Sequence, residues 1–126
     1  MKYLLLLSLA FFAGCAAPYR MATRSGKPEV VVGVEKKALI SALVNSLMGD
    51  GYIIEQQTEN VVSGTRTDID IWWGAHQRHV KQYAITDDKD SVRVILHHLV
   101  NGSSVAKQQT MEDDQYVLNT LKRSLQ

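Results

Sequence analysis

The distribution of apolar and polar positions divides the chain into unlike parts. Behind Lys2, an uncharged and mostly apolar run extends from Tyr3 to Ala13, and from Ala16 to Pro28 no apolar periodicity is present. Beyond Pro28, strand and helix signals alternate. Val30, Val31, Val32 and Val34 form a β-branched run that suits a buried strand. From Glu35 the period changes, and Leu39, Ile40, Leu43, Val44 and Leu47 recur at helical spacing as one broad apolar stripe, with Gly49 and Gly51 as its stop. Tyr52, Ile53 and Ile54 resume a strand, Glu59 and Asn60 mark a turn, and Val61 and Val62 lead a further strand towards Arg66.

The segments 77–86 and 91–100 flank Asp87, Asp88, Lys89 and Asp90, a turn-forming cluster between two strand-favouring runs, which predicts a hairpin. A turn centred on Asp88 and Lys89 pairs residues whose numbers sum to 177, which sets His79 opposite His98. Val92, Val94, Leu96 and Val100 share one face of the second strand, so the face marked for burial also contains His98. Asn101 and Gly102 end that strand. Thr110 then precedes Met111, Glu112, Asp113 and Asp114, a capping residue with acids in the first turn, and Val117, Leu118, Leu121 and Leu125 form the stripe of a second helix, with Lys122 and Arg123 in its last turn. The predicted order is β-α-β-β-β-β-α: an α+β domain in two layers, with an antiparallel sheet and both helices on one face.

Length and composition narrow the possibilities. A chain of 126 residues holds one such domain, over 29–126, and 45% hydrophobic against 21% charged residues excludes a disordered or collagen-like chain. The formal charge is +1, but all thirteen acidic residues and only ten of the fourteen basic ones lie beyond residue 28, so the domain alone carries −3. Nucleic-acid binding is disfavoured, because phosphate contacts need clustered cations. With Cys15 as the one cysteine, neither an intrachain disulfide nor a multi-cysteine metal site can form.

The amino-terminal run, about eleven residues, would span roughly 17 Å as a helix, whereas a bilayer core needs about 20 residues. Residues 1–14 therefore read as a secretory signal peptide. The run ends Phe12, Ala13, Gly14, Cys15, which resembles the lipobox of bacterial lipoproteins. The resemblance implies a diacylglyceryl group on the Cys15 thiol, cleavage just before it, and acylation of the new amino group by a fatty acid such as palmitate. Ala16, where an Asp would favour retention in the inner membrane, implies anchoring in the cell outer membrane with the domain on its periplasmic face. Two or three acyl chains hold a protein stably on a bilayer, whereas one does so only marginally. Residues 15–28 then form the lipidated cysteine and a flexible tether of about 40 Å reach when extended. Arg20, Arg24 and Lys27 either lie along anionic lipid or simply keep this linker solvated.

The stretch from Val34 through Leu43, Leu47, Gly51, Tyr52, Val61, Val62 and Gly64, together with lipobox and tether, resembles the helix-grip domains of BamC-type lipoproteins. That resemblance implies an accessory role in outer-membrane protein assembly, carried out by binding an envelope protein.

Residues that could carry chemistry are few. His76, His79, His97 and His98 invite a metal site, but His97 and His98 as strand neighbours point to opposite faces, and the His79/His98 pair supplies two ligands where zinc needs three or four. Asp68 and Asp70 face one way in an extended segment, yet that spacing gives no acid/base differentiation. Asp87, Asp88 and Asp90 lack the following Gly and distal Glu of a calcium loop. No nucleophile elbow or phosphate loop is present. The expectation is therefore a non-enzymatic protein without metal or cofactor. The alternative is a small periplasmic enzyme or ligand- or metal-binding protein using the His79/His98 hairpin. Trp72 and Trp73, the only tryptophans and followed by Gly74, are the partner-binding candidates. If they lie on a strand, one enters the core and the other faces out; otherwise both are buried.

Overall fold

The computed structural model describes residues 19–126. The signal peptide and the Cys15 lipidation site lie outside the described residues. Six strands and two helices follow in the order β1 (Glu29–Val32), α1 (Lys36–Gly49), β2 (Ile53–Gln57), β3 (Val61–Ile69), β4 (His76–Asp88), β5 (Ser91–Val100), β6 (Ser103–Ser104) and α2 (Gln108–Leu125). All strand pairs are antiparallel, in the spatial order β1-β5-β4-β3-β2, with β6 on the same edge of β5 as β1. The α+β class and the antiparallel sheet expected from the pattern are present.

Local chemistry sets each boundary. The α1 stripe Leu39, Leu43 and Leu47, spaced by four residues, is fully buried. Its end is a Schellman cap: the Gly51 amide donates to the Met48 carbonyl and the Tyr52 amide to that of Leu47, while Gly51 takes a φ of +83°. Only a residue without Cβ adopts that conformation freely, so Gly51 rather than Gly49 is the stop. The Asn101–Gly102 pair, both at positive φ, does more than end β5. It forms a two-residue turn that folds β6 back, pairing Val100 with Ser103.

Two expectations are corrected. The β4–β5 turn is centred on Lys89 and Asp90, so paired residues sum to 179: His79 faces Val100, and His98 faces Lys81. A shift of two residues keeps every side chain on its face, so hydrophobic alternation could not choose between the registers. The turn itself decides, with Lys89 at a φ of 57°. In addition, α2 begins at Gln108, capped by Lys107 without a side-chain bond, rather than after Thr110. Gln108 donates to Glu112 and Gln109 to Asp113, each at 2.9 Å, and these i,i+4 bonds support the added turn.

Val30, Val32, Val62, Tyr83, Ile85, Val92, Val94 and Leu96 share one sheet face and pack with Leu39, Leu43, Leu47, Leu118 and Leu121 in a single core, which places both helices on that face. A bulge in β2 between Ile54 and Gln56 interrupts the ladder on the outer edge. Residues 21–28, the latter half of the segment read as a tether, turn back on the domain: the Met21 amide donates to Gly26, and the Leu96 amide to the Pro28 carbonyl.

Emptying the centre of this core has a defined consequence. Leu43→Ala should lower unfolding free energy by about 2–5 kcal/mol in urea denaturation, whereas the same change at the exposed Ile53 should cost under about 1 kcal/mol.

Candidate functional site

The covered face of the sheet is divided along the strands. Towards the β4–β5 turn it is apolar; towards the β3–β4 turn, the same face carries Arg66 and Asp68 on β3, His79 and Lys81 on β4, and His98 on β5. The amino-terminal part of α2 lies over this half, and the buried stripe of the helix reads Met111, Asp114, Leu118, Leu121. Asp114 is thus a carboxylate at a core position. Its Oδ1 lies 3.4 Å from Lys81 Nζ, and its Oδ2 is 2.8 Å from His98 Nδ1. The chain of contacts continues from His98 Nε2 to His79 Nδ1 at 3.0 Å, and from His79 Nε2 to Asp68 Oδ2 at 3.3 Å. Arg66 Nη2 donates to Asp68 at 3.1 Å, and Nη1 donates to the Asp50 carbonyl at 2.9 Å. The Arg66 guanidinium and the Lys81 ammonium both lie over the Tyr52 ring, 4.9 and 5.3 Å from its centroid.

The two histidines expected to face each other therefore do meet, but diagonally across the ladder rather than as a directly opposed pair. Proton count fixes their chemistry. A carboxylate only accepts, so His98 Nδ1 and His79 Nε2 carry the hydrogens shared with Asp114 and Asp68, and the contact between the rings has room for one more. Together the rings hold at most three protons; a fourth would set two N–H groups head to head. Burial, and then the charge of His98, lower the pKa of His79 against the opposing pull of Asp68. Burial pushes the Tyr52 phenol up to about 12, so it stays protonated.

Lys81, His98 and Asp114 expose 10, 9 and 7% of their side chains, so most of this network is sealed from solvent. Beside it, a cavity of about 20 Å³ is lined by His97, His98, Asp114, Lys27, Met111 and other residues. That is room for about one water molecule and too little for a substrate. Among the described residues, no three His, Cys, Asp or Glu side chains converge in a way that could hold a metal ion. His76 is exposed at the start of β4.

The tryptophans have a different setting. Strand β3 ends at Ile69, and Trp72 and Trp73 occupy the loop to β4, with 91 and 84% of their surface exposed. The expectation that a strand would send one ring into the core is corrected, as is the alternative that both are buried. Alternation does not govern a loop, and the apolar core is built on the opposite half of the sheet. Ile71 and Ile69 extend the same apolar tip, at 92 and 60% exposure. Asp70 braces it: Oδ1 accepts the amides of Trp72 at 2.9 Å and Trp73 at 3.3 Å, while its backbone bonds Gly74 and Ala75. Gly74, at a φ of +65°, closes the loop. Asp68 and Asp70, which face one way in sequence, thus have separate tasks, one in the ion-pair chain and one in the turn.

Asp114, Lys81 and Arg66 were not singled out from the sequence. The signal for Asp114 was present, since it stands three residues after Met111 and four before Leu118, on the apolar stripe. Compared with known proteins, the sequence matches no family model and no curated protein.

The network makes stability depend on pH. His79 has its folded pKa below the unfolded value of about 6.5, so the unfolded chain takes up the proton first as pH falls. His97, lowered by burial and by Lys27, acts in the same direction. Stability should be full above pH ~7 and fall progressively as pH drops through 6.5 towards the folded values. Urea midpoints between pH 7.5 and 5.5 should show this decline, and His79→Gln should flatten it; an unchanged slope in that variant would separate His79 from the effect.

Proposed function

We propose that this chain is a lipoprotein anchored in the outer membrane through lipid on Cys15, and that its small periplasmic domain works by binding an envelope protein, as an accessory of an envelope assembly complex, without catalysis. The observation that carries the binding reading is the braced tip, where Trp72, Trp73 and Ile71 are almost fully exposed. Isolated exposed apolar residues are ordinary, but several large ones contiguous on a turn whose backbone is internally bonded mark a contact surface. The tip is convex and narrow, which suits a partner offering an apolar cleft. Rigid aromatic rings bind at low entropic cost, and Trp is enriched among residues that dominate interfaces. An enzyme or ligand-binding protein built on His79 and His98 has less support, because His98 and Asp114 are buried and the adjoining cavity admits only about a water molecule.

The anchor and the contact surface are tested separately. Labelled palmitate should enter the wild-type protein and not Cys15→Ser, which should also fail to be processed; equal labelling of both would defeat the lipoprotein reading.

For the tip, crosslinking of the full-length protein in membranes should capture a partner whose yield depends on the rings. Trp72→Ala and Trp73→Ala should each weaken that binding by about 2 kcal/mol, roughly thirtyfold, with the melting temperature nearly unchanged. Because these are the only two tryptophans, their emission should shift to the blue on binding. Partner recovery unaffected by both substitutions, at equal folded concentration, would place the interface elsewhere.

A further inference from the structure

The amino-terminal arm, residues 19–27, is folded on itself and then fixed to the sheet. Within the arm, the Met21 amide donates to Gly26 and the Thr23 hydroxyl to Lys27. Gly26 sits at a φ of +75° with the Arg20 side chain against its backbone, where a Cβ would meet Arg20 Nε at 2.6 Å. The Ser25 amide donates to Glu29, whose carboxylate is in turn held by Arg93. Beyond Glu29, among the described residues, one hydrogen bond ties this arm to the sheet: Lys27 Nζ to His97 Nδ1, at 2.7 Å.

An ammonium has hydrogens and no lone pair, so this bond exists only while His97 Nδ1 is unprotonated. We infer that Lys27 and His97 form a pH-operated latch that holds the arm 19–27 against the sheet. A proton on His97 Nδ1 removes the acceptor and places two cations face to face. Among the described residues, Lys27 is the charge turned on the ring. Its cross-strand partner on β4 is the uncharged Gln82, Arg93 on β5 is engaged with Glu29 and Asp88, Ser104 on β6 is neutral, and Asp114 on α2, which lines the same cavity, is bonded to Lys81 and His98. Burial and the Lys27 charge both lower the pKa of His97, so opening belongs to mildly acid conditions. The latch rests on the described fold and is independent of the lipoprotein reading.

Hydrogen exchange of the full-length protein in detergent, corrected for the intrinsic pH dependence of exchange, tests it at pH 7.5 and 5.5. Protection of the peptide 19–28 should fall at least tenfold at the lower pH, and by a clearly larger factor than that of peptides from β4, which follow the global stability. His97→Gln, whose amide oxygen accepts from Lys27 at either pH, should hold the arm at both, and Lys27→Met should release it at both. Unchanged protection in the wild type, the same drop in His97→Gln, or a loss in β4 as large as that in the arm would overturn the latch. Failure of palmitate to label Cys15, with the exchange pattern intact, would overturn the anchor and leave the latch standing.

Discussion

The carboxylate of Asp114 imposes the strongest single demand in this molecule. It sits on the buried stripe of α2, 5% exposed, where an uncompensated charge would cost several kcal/mol. Lys81 and His98 meet it from adjacent strands. Those two residues are themselves placed by the register in which β4 faces β5, and α2 can seat only where both reach it. His98 then needs a partner for its second nitrogen and finds His79, which finds Asp68, which finds Arg66. One buried acid thus organises half of a sheet face and ties the second helix to three strands. A dry hydrophobic replacement would be no less stable in principle, but it would not specify the position of α2 so narrowly.

The division of the covered face explains how much could be read from the sequence. Where burial is apolar, periodicity is enough: Leu39, Leu43 and Leu47 at intervals of four, and Val92, Val94 and Leu96 at intervals of two, announce their elements and faces. Where burial is polar, a pattern of hydrophobic positions says little: Lys81 and Arg66 look like surface residues until the strands are assembled, and Asp114 is marked only by its place on the α2 stripe. The His79–His98 contact was legible because alternation keeps both on one face, while the two-residue shift in register was not, since alternation is blind to even shifts. Trp72 and Trp73 were visible as unusual, but their exposure depends on where β3 stops, which Asp70 determines by capping their amides.

Rigidity and exposure are distributed in keeping with that plan. The ion-pair chain ends at Asp68, two residues from Asp70, so the base of the Trp hairpin is held by Arg66 and His79 while its tip is left without apolar neighbours in the described residues. At the other end, Glu29, Arg93 and Asp88 form a second polar cluster on the uncovered face. Burial works to raise the Glu29 carboxyl, but hydrogen bonds from Ser25 and Arg93 outweigh it and hold the group below its ordinary value. Glu29 therefore stays ionised through the range in which His79 and His97 titrate, so acidification acts on the arm and the histidine contacts without loosening β1.

The bulge in β2 bears on the company this protein keeps with itself. An outer strand with a regular row of free amides and carbonyls invites a second copy to extend the sheet. Between Ile54 and Gln56 the spacing of those groups is broken, and with it the match that a neighbouring β2 would require. An interruption in the outer strand thus works against edge-to-edge pairing of two copies of this sheet.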